Sequence, residues 1–240
     1  MLKVKIPILM YHSIELMPKS TVMRSLHVPT KRFKLQMWLL KILGYRGLSL
    51  RDLKPYLDGK KKGRVVGITF DDGYKNNLIN ALPILKNNNF TATCYIVSRR
   101  IGLENTWDLE HGITQSPLMS NDEIHEWIEK GMDIGAHTQT HADLQKIRPD
   151  DAIHEISKSK LDLEKAFNIK IVDFCYPYGK LTEDICSMVK DSGFDSATTM
   201  IRGRADLLSN HLQLPRIPIT HHTLPHLFLL KILSNYEDKR

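Results

Sequence analysis

No window of the 240 residues approaches 18 uninterrupted apolar positions, so no transmembrane helix is predicted. Cysteine is scarce. Cys94, Cys175 and Cys186 are odd in number and form no CxxC pair, which argues against a disulfide framework and for a reducing compartment. Residues 1–10 carry lysines but no long apolar h-region and no small-residue cleavage site. No secretory leader is therefore read, and a cytoplasmic location is the expectation. Basic runs interleaved with aromatics are missing too, and with them any sign of a nucleic-acid groove. The longest basic run, Lys60-Lys61-Lys62, stands between Gly59 and Gly63 and reads as a loop. Internal repeats and long linkers are absent, so residues 1–240 are expected to form a single domain. Nothing in the pattern sets an oligomeric state.

What the chain does have is 42% hydrophobic content, enough for one substantial core. Its net charge of +7 could draw anionic glycans or the headgroups of a membrane surface, although solvated lysines account for it as simply. Strand-like runs are expected over 6–12, 64–70, 91–97, 133–136, 169–176, 196–200 and 213–219. Helix-like spacing lies between them, over 33–43, 76–86, 120–130, 150–167 and 183–190. Ser120 followed by Glu123 has the form of a capping box. Alternating strands and helices imply a mostly parallel α/β fold, and about seven such units suggest a distorted (β/α) barrel. In such barrels the chemistry sits where strands end.

Three segments at strand ends carry chemistry. Thr69-Phe70-Asp71-Asp72-Gly73-Tyr74 places two adjacent carboxylates after a buried strand, a costly arrangement unless a cation or hydrogen bonds neutralise them. An Asp there serves equally well as a helix N-cap. His137-Thr138-Gln139-Thr140-His141 follows the strand over 133–136; two histidines four apart meet one ion if the segment is a helical turn. Phe174-Cys175-Tyr176-Pro177-Tyr178-Gly179 forms a stiff turn able to aim a backbone N–H into a site. Asp plus two His is a ligand set that leaves positions for water and substrate.

Together TFDDGY, HTQTH and CYPYG resemble the polysaccharide deacetylase family (the NodB-homology domain, carbohydrate esterase family four), over residues 8–219. Ile8-Leu9-Met10-Tyr11-His12-Ser13 is similar to the permuted subgroup typified by poly-N-acetylglucosamine deacetylases. The resemblance implies a metal-dependent hydrolase that removes N-acetyl groups from N-acetylhexosamine units of a polysaccharide, oligosaccharide or glycolipid. It implies Asp72, His137 and His141 as metal ligands, Asp71 as general base, His12 as general acid and the Tyr178 N–H as an oxyanion donor. Many members tether the base with an Arg in the third motif. That position is Cys175 here, and Arg216 is expected to supply the tether instead. The implied metal is Zn²⁺, with Co²⁺ or Ni²⁺ compatible with the same ligands.

Alternatives at this point are a deformylase or other amidase on a lipid-linked amino sugar, and a non-catalytic glycan-binding protein on the same scaffold. His12 alone is also compatible with an ordinary core histidine. Trp107 and Tyr74 are candidates for stacking on a sugar ring, whereas Trp38 and Trp127 are expected in the core. His221 and His222 read as a solvated loop. His27, His111, His125, His154 and His211 show no partner pattern. The apolar stretch over 224–233 is expected to pack on the barrel.

Overall fold

The architecture is that of a computed structural model, which describes residues 5–107, 109 and 112–239; His111 and Arg240 lie outside the described residues. Among the described residues eight parallel strands run in chain order: β1 (Ile8–Tyr11), β2 (Arg46–Leu48), β3 (Val65–Phe70), β4 (Thr93–Ile96), β5 (Asp133–Ala136), β6 (Asp173–Cys175), β7 (Ser196–Arg202) and β8 (Leu214–Pro218). The sheet order is β1-β8-β7-β6-β5-β4-β3-β2, and β1 also pairs with β3. That pairing closes a seven-stranded (β/α) barrel and leaves β2 outside the ring. Gly67 on β3 faces Ile8 on one side and Leu48 on the other, while Thr69 faces Met10 and Thr93. Thus β2 takes the first half of one β3 edge and β4 takes the second half.

Among the described residues seven helices cover the ring: α1 (Thr30–Ile42), α2 (Leu50–Leu57), α3 (Leu82–Asn87), α4 (Asn121–Glu129), α5 (Pro149–Phe167), α6 (Glu183–Asp191) and α7 (Pro225–Leu233). Only a short 3₁₀ turn, His211–Gln213, lies between β7 and β8, which distorts the barrel. Strand residues such as Ile8, Leu9, Ile68, Phe70 and Ile217 are fully buried, each worth about 1.5–3 kcal/mol against exposure. Trp127 joins this core, but Trp38 is 51% exposed: on α1 the buried face is Phe33, Gln36, Met37 and Leu40. The 224–233 stretch does pack inward, through Phe228 and Ile232. No helix among the described residues is long and apolar enough to cross a membrane.

Most expected elements form, with instructive shifts. The capping box is complete, Ser120 Oγ accepting from Glu123 N and Glu123 accepting from Ser120 N. The 169–176 run shrinks to Asp173–Cys175, because β5 offers β6 a single paired position, Ala136 opposite Phe174. The 76–86 stretch starts as a π turn, Asn77–Ala81, before α3. Three elements are additional to the sequence expectation: β2, α2 and the helical form of the 224–233 stretch, α7. The strand β2 has only three residues, and α2 contains Pro55; Ser49 caps α2, and Leu50, Leu53, Tyr56 and Leu57 are buried along it.

At the end of the barrel where the strands begin, Asp173 is buried and accepts a 2.6 Å bond from Ser196 Oγ. Burial, reinforced by nearby Asp133, pushes its carboxyl up to about 6. Its folded-state value lies above the unfolded one, so the neutral acid contributes stability below about pH 4 that is lost as pH rises through about 6. Asp173→Asn is expected to remove that loss, worth on the order of 2–3 kcal/mol. Urea midpoints of both proteins taken from pH 4 to pH 7 check it: the variant's midpoint gains on that of the wild type as pH rises through the window.

Candidate active site

The three motif segments converge at the ends of β3, β5 and β6. The ladder between β1 and β3 extends one step beyond the strand, Asp71 N donating to Tyr11 O at 2.9 Å. The chain then turns through Asp72 and Gly73, both left-handed at φ 75° and φ 78°. Helical structure starts at Lys75, three residues beyond Asp72, and runs into the π turn at Asn77, so neither aspartate is an N-cap. After β5, HTQTH is a bent loop rather than a helical turn: Thr138 and His141 are left-handed, and Thr138 Oγ1 accepts from His141 N at 3.0 Å. After β6, Tyr178 is left-handed within the 3₁₀ turn Pro177–Gly179. Of the seven non-glycine residues with positive φ in the described chain, four (Asp72, Thr138, His141 and Tyr178) stand at this one place. Such conformations cost roughly 1–3 kcal/mol each and persist where the surroundings over-determine them.

His137 Nδ1 donates to Cys175 O at 2.7 Å, which turns Nε2 toward Asp72. His137 Nε2 and His141 Nε2 lie 3.5 and 3.4 Å from Asp72 Oδ1. All three residues are buried, and their ligand atoms lie within 4.8 Å of one another. Two ligands of one tetrahedral Zn²⁺, each about 2.0–2.2 Å from it, stand about 3.4 Å apart, so the donor set fits such an ion. Burial pushes Asp72 up, but His137 and His141 outweigh it and hold the carboxyl well below the usual range. Burial and the neighbouring His137 push His141 down to about 3, leaving the neutral imidazole that ligation requires. Burial lowers His137, yet Cys175 and Asp72 outweigh it and carry the imidazole well above its usual value. A proton there answers the local negative charge, and a divalent cation would replace it.

Asp71 is held differently. Arg216 grips it bidentately, Nη1–Oδ1 at 2.6 Å and Nη2–Oδ2 at 2.8 Å, with both residues buried. The guanidinium is itself fixed by Thr199 O, Thr69 Oγ1 and Cys175 Sγ. Burial raises Asp71, but Arg216 more than offsets it and keeps the carboxyl below its usual range. Asp71, His137 and Cys175 also lie close enough to share an ion. That set is the poorer one, because both Asp71 oxygens and the Cys175 sulfur already accept from Arg216. His12 Nε2 sits 3.8 Å from Asp71 Oδ2. The structure thus brings together His12, Asp71, Asp72, His137, His141, Tyr178 and Arg216 around one cavity of about 430 Å³.

Trp107 and Tyr74 both line that cavity, with Trp107 stacked on the His141 ring at 4.5 Å and Tyr74 buried. His221 and His222 do not line it. Met23 and Met200 do, and sequence reasoning passed over them for want of any motif.

Comparison with known proteins supplies the family. The family model described as polysaccharide deacetylase matches residues 58–197. A Staphylococcus aureus poly-beta-1,6-N-acetyl-D-glucosamine N-deacetylase is 28% identical over 233 residues, covering 92% of this chain and 76% of that protein. The Streptococcus pyogenes deacetylase PplD, solved with acetate, is 28% identical with a TM-score of 0.82 over 96% of this chain and 99% of its own. A polysaccharide deacetylase from Bacillus cereus is 29% identical with a TM-score of 0.79 over 96% of this chain and 69% of that one. A matched region of more than half the chain, a seven-stranded barrel and clustered motif residues lead to one assignment: the chain belongs to the polysaccharide deacetylase family of hydrolases.

Proposed function

We propose that this protein is a divalent-metal-dependent N-deacetylase acting on N-acetylhexosamine units of an oligosaccharide, polysaccharide or glycolipid. The observation that carries the reading is the convergence of Asp72, His137 and His141 beside Asp71, whose oxygens are fixed by Arg216. Those three residues would hold the ion, with Zn²⁺ the metal that best suits their chemistry. When bound, the ion supplies Lewis-acid polarisation of the acetyl carbonyl and stabilises charge developing on it. Asp71 takes the proton from the attacking water, since Arg216 keeps it ionised and aimed. His12 stands on the Asp71 side of the cavity and gives a proton to the departing amine. The backbone N–H of Tyr178, in the left-handed turn that lines the cavity, is assigned as the donor to the oxyanion. Trp107 walls the cavity beside His141.

The reading takes residues 1–240 as one catalytic domain, because β1 near one end and α7 near the other serve the same barrel. Buried, unpaired Cys94, Cys175 and Cys186 support a reducing compartment. The name of the Staphylococcus aureus relative supports N-acetylglucosamine as the sugar unit.

Zinc-loaded protein incubated with N-acetylglucosamine oligomers is expected to release acetate. A chelator should stop the release and added Zn²⁺ should restore it. Formate from N-formylated amino sugars, with no acetate from any N-acetylated one, overturns the substrate assignment. Sugar binding without turnover under Zn²⁺, Co²⁺ or Ni²⁺ overturns the enzyme.

A further inference from the structure

We propose that Asn77 is a positioning residue for His12, clamping the peptide that carries the acid to the same segment that carries the base. The inference rests on the assignment of His12 above. His12 lies one residue beyond β1; Ser13 after it is bridged to His27, but the His12 carbonyl has no strand partner among the described residues. Asn77, wholly buried, fixes the backbone there with both ends of one carboxamide: Nδ2 donates to His12 O at 2.7 Å, and Oδ1 accepts from Ile14 N at 3.2 Å. Its neighbours reinforce the grip. Asn76 accepts from Ile14 N at 3.1 Å and donates to Ser13 Oγ at 2.8 Å, while Asn80 donates to Ile14 O at 2.8 Å. His27 Nδ1 meets the same Ser13 hydroxyl at 2.8 Å.

The π turn explains how one short segment presents these asparagines together. Asn77–Ala81 winds wider than an α-helix, and π turns inside helices occur frequently at functional sites. The turn begins five residues after Asp72, so a single stretch holds Asp71, Asp72 and the main chain of His12 in register. A shift of about 1 Å in a reacting group can cost on the order of 10²-fold in rate, enough for such a clamp to matter.

Asn77→Asp keeps the size and the acceptor but sets an oxygen against His12 O. It is expected to lower kcat on an N-acetylglucosamine oligomer by about 10- to 100-fold, within the 10²- to 10⁴-fold range of acid–base catalysis, with KM nearly unchanged. On 4-nitrophenyl acetate, whose phenolate departs without a proton, its rate should stay within about twofold of the parent. Asn77→Ala, which leaves Ile14 N still bonded to Asn76, should show the same split and guards against misfolding of the Asp variant. In a His12→Gln background either substitution should add nothing further, and this cycle decides the matter if the parent does not hydrolyse the ester. Equal losses on amide and ester, or additive losses in the double variants, overturn the proposal. A separate result, His12→Gln leaving amide hydrolysis intact, would instead remove the acid assignment on which it rests.

Discussion

Asp71→Asn is expected to reduce acetate release by about 10³- to 10⁴-fold, near the upper end of what acid–base groups contribute, while the zinc content stays stoichiometric. Asp71 is not in the better ligand set, so its loss should leave Asp72, His137 and His141 able to hold metal. The carboxamide has no basic oxygen with which to take a proton from water, yet its shape is retained beside Arg216. Metal analysis alongside initial rates therefore separates the base from the ligands. Asp72→Asn should instead lose metal and activity together. An Asp71→Asn protein that deacetylates at the parental rate would sink the assignment of the base.

Arg216→Met is expected to destabilise the fold by about 3–5 kcal/mol at neutral pH, the usual penalty for removing one partner of a buried ion pair. In the parent, Asp71 is held low by Arg216, so the pair's contribution is present above the unfolded value near 4 and is lost as pH falls through the depressed folded value. Without the guanidinium, burial is left as the dominant influence and the carboxyl rises. The variant's deficit should then shrink toward acid pH, as its Asp71 takes up a proton. Asp71→Asn placed in the same chain should recover much of the stability, because the orphaned charge is gone. Denaturant midpoints of the two single variants and the double variant, at pH 5 and pH 7.5, give the cycle. Activity in Arg216→Met should also fall sharply, since a protonated Asp71 accepts nothing from water. A denaturation curve unchanged by Arg216→Met would mean that the bidentate contact carries no stability.

Elements whose signals are local were legible in the sequence. The Ser120–Glu123 capping box is a four-residue pattern, and both of its bonds form. The run at 133–136 coincides with β5, although Asp133-Ile134-Gly135-Ala136 is short and only its last three residues are buried. Less legible were elements defined by their neighbours. β2 exists because β3 has an uncovered half-edge, and α2 survives an internal proline because its apolar face is buried. The two site histidines share an ion-sized space through a loop rather than a helical turn, since left-handed Thr138 and His141 are set by surrounding contacts. The tether of Asp71 by Arg216 spans 145 residues, and sequence alone offered it only through family resemblance. The asparagine clamp spans 63 and carried no motif.

The order of chemistry-bearing residues along the chain, their places at strand ends and the alternation that makes a parallel barrel were determined by the sequence, because each depends on spacing within a few residues. Ring closure between β1 and β3, the pairing of Arg216 with Asp71 and the fastening of His12 to Asn77 were decided only in three dimensions. Each joins groups far apart in the chain, and a buried charge or carbonyl accepts whichever partner the packed core brings within reach.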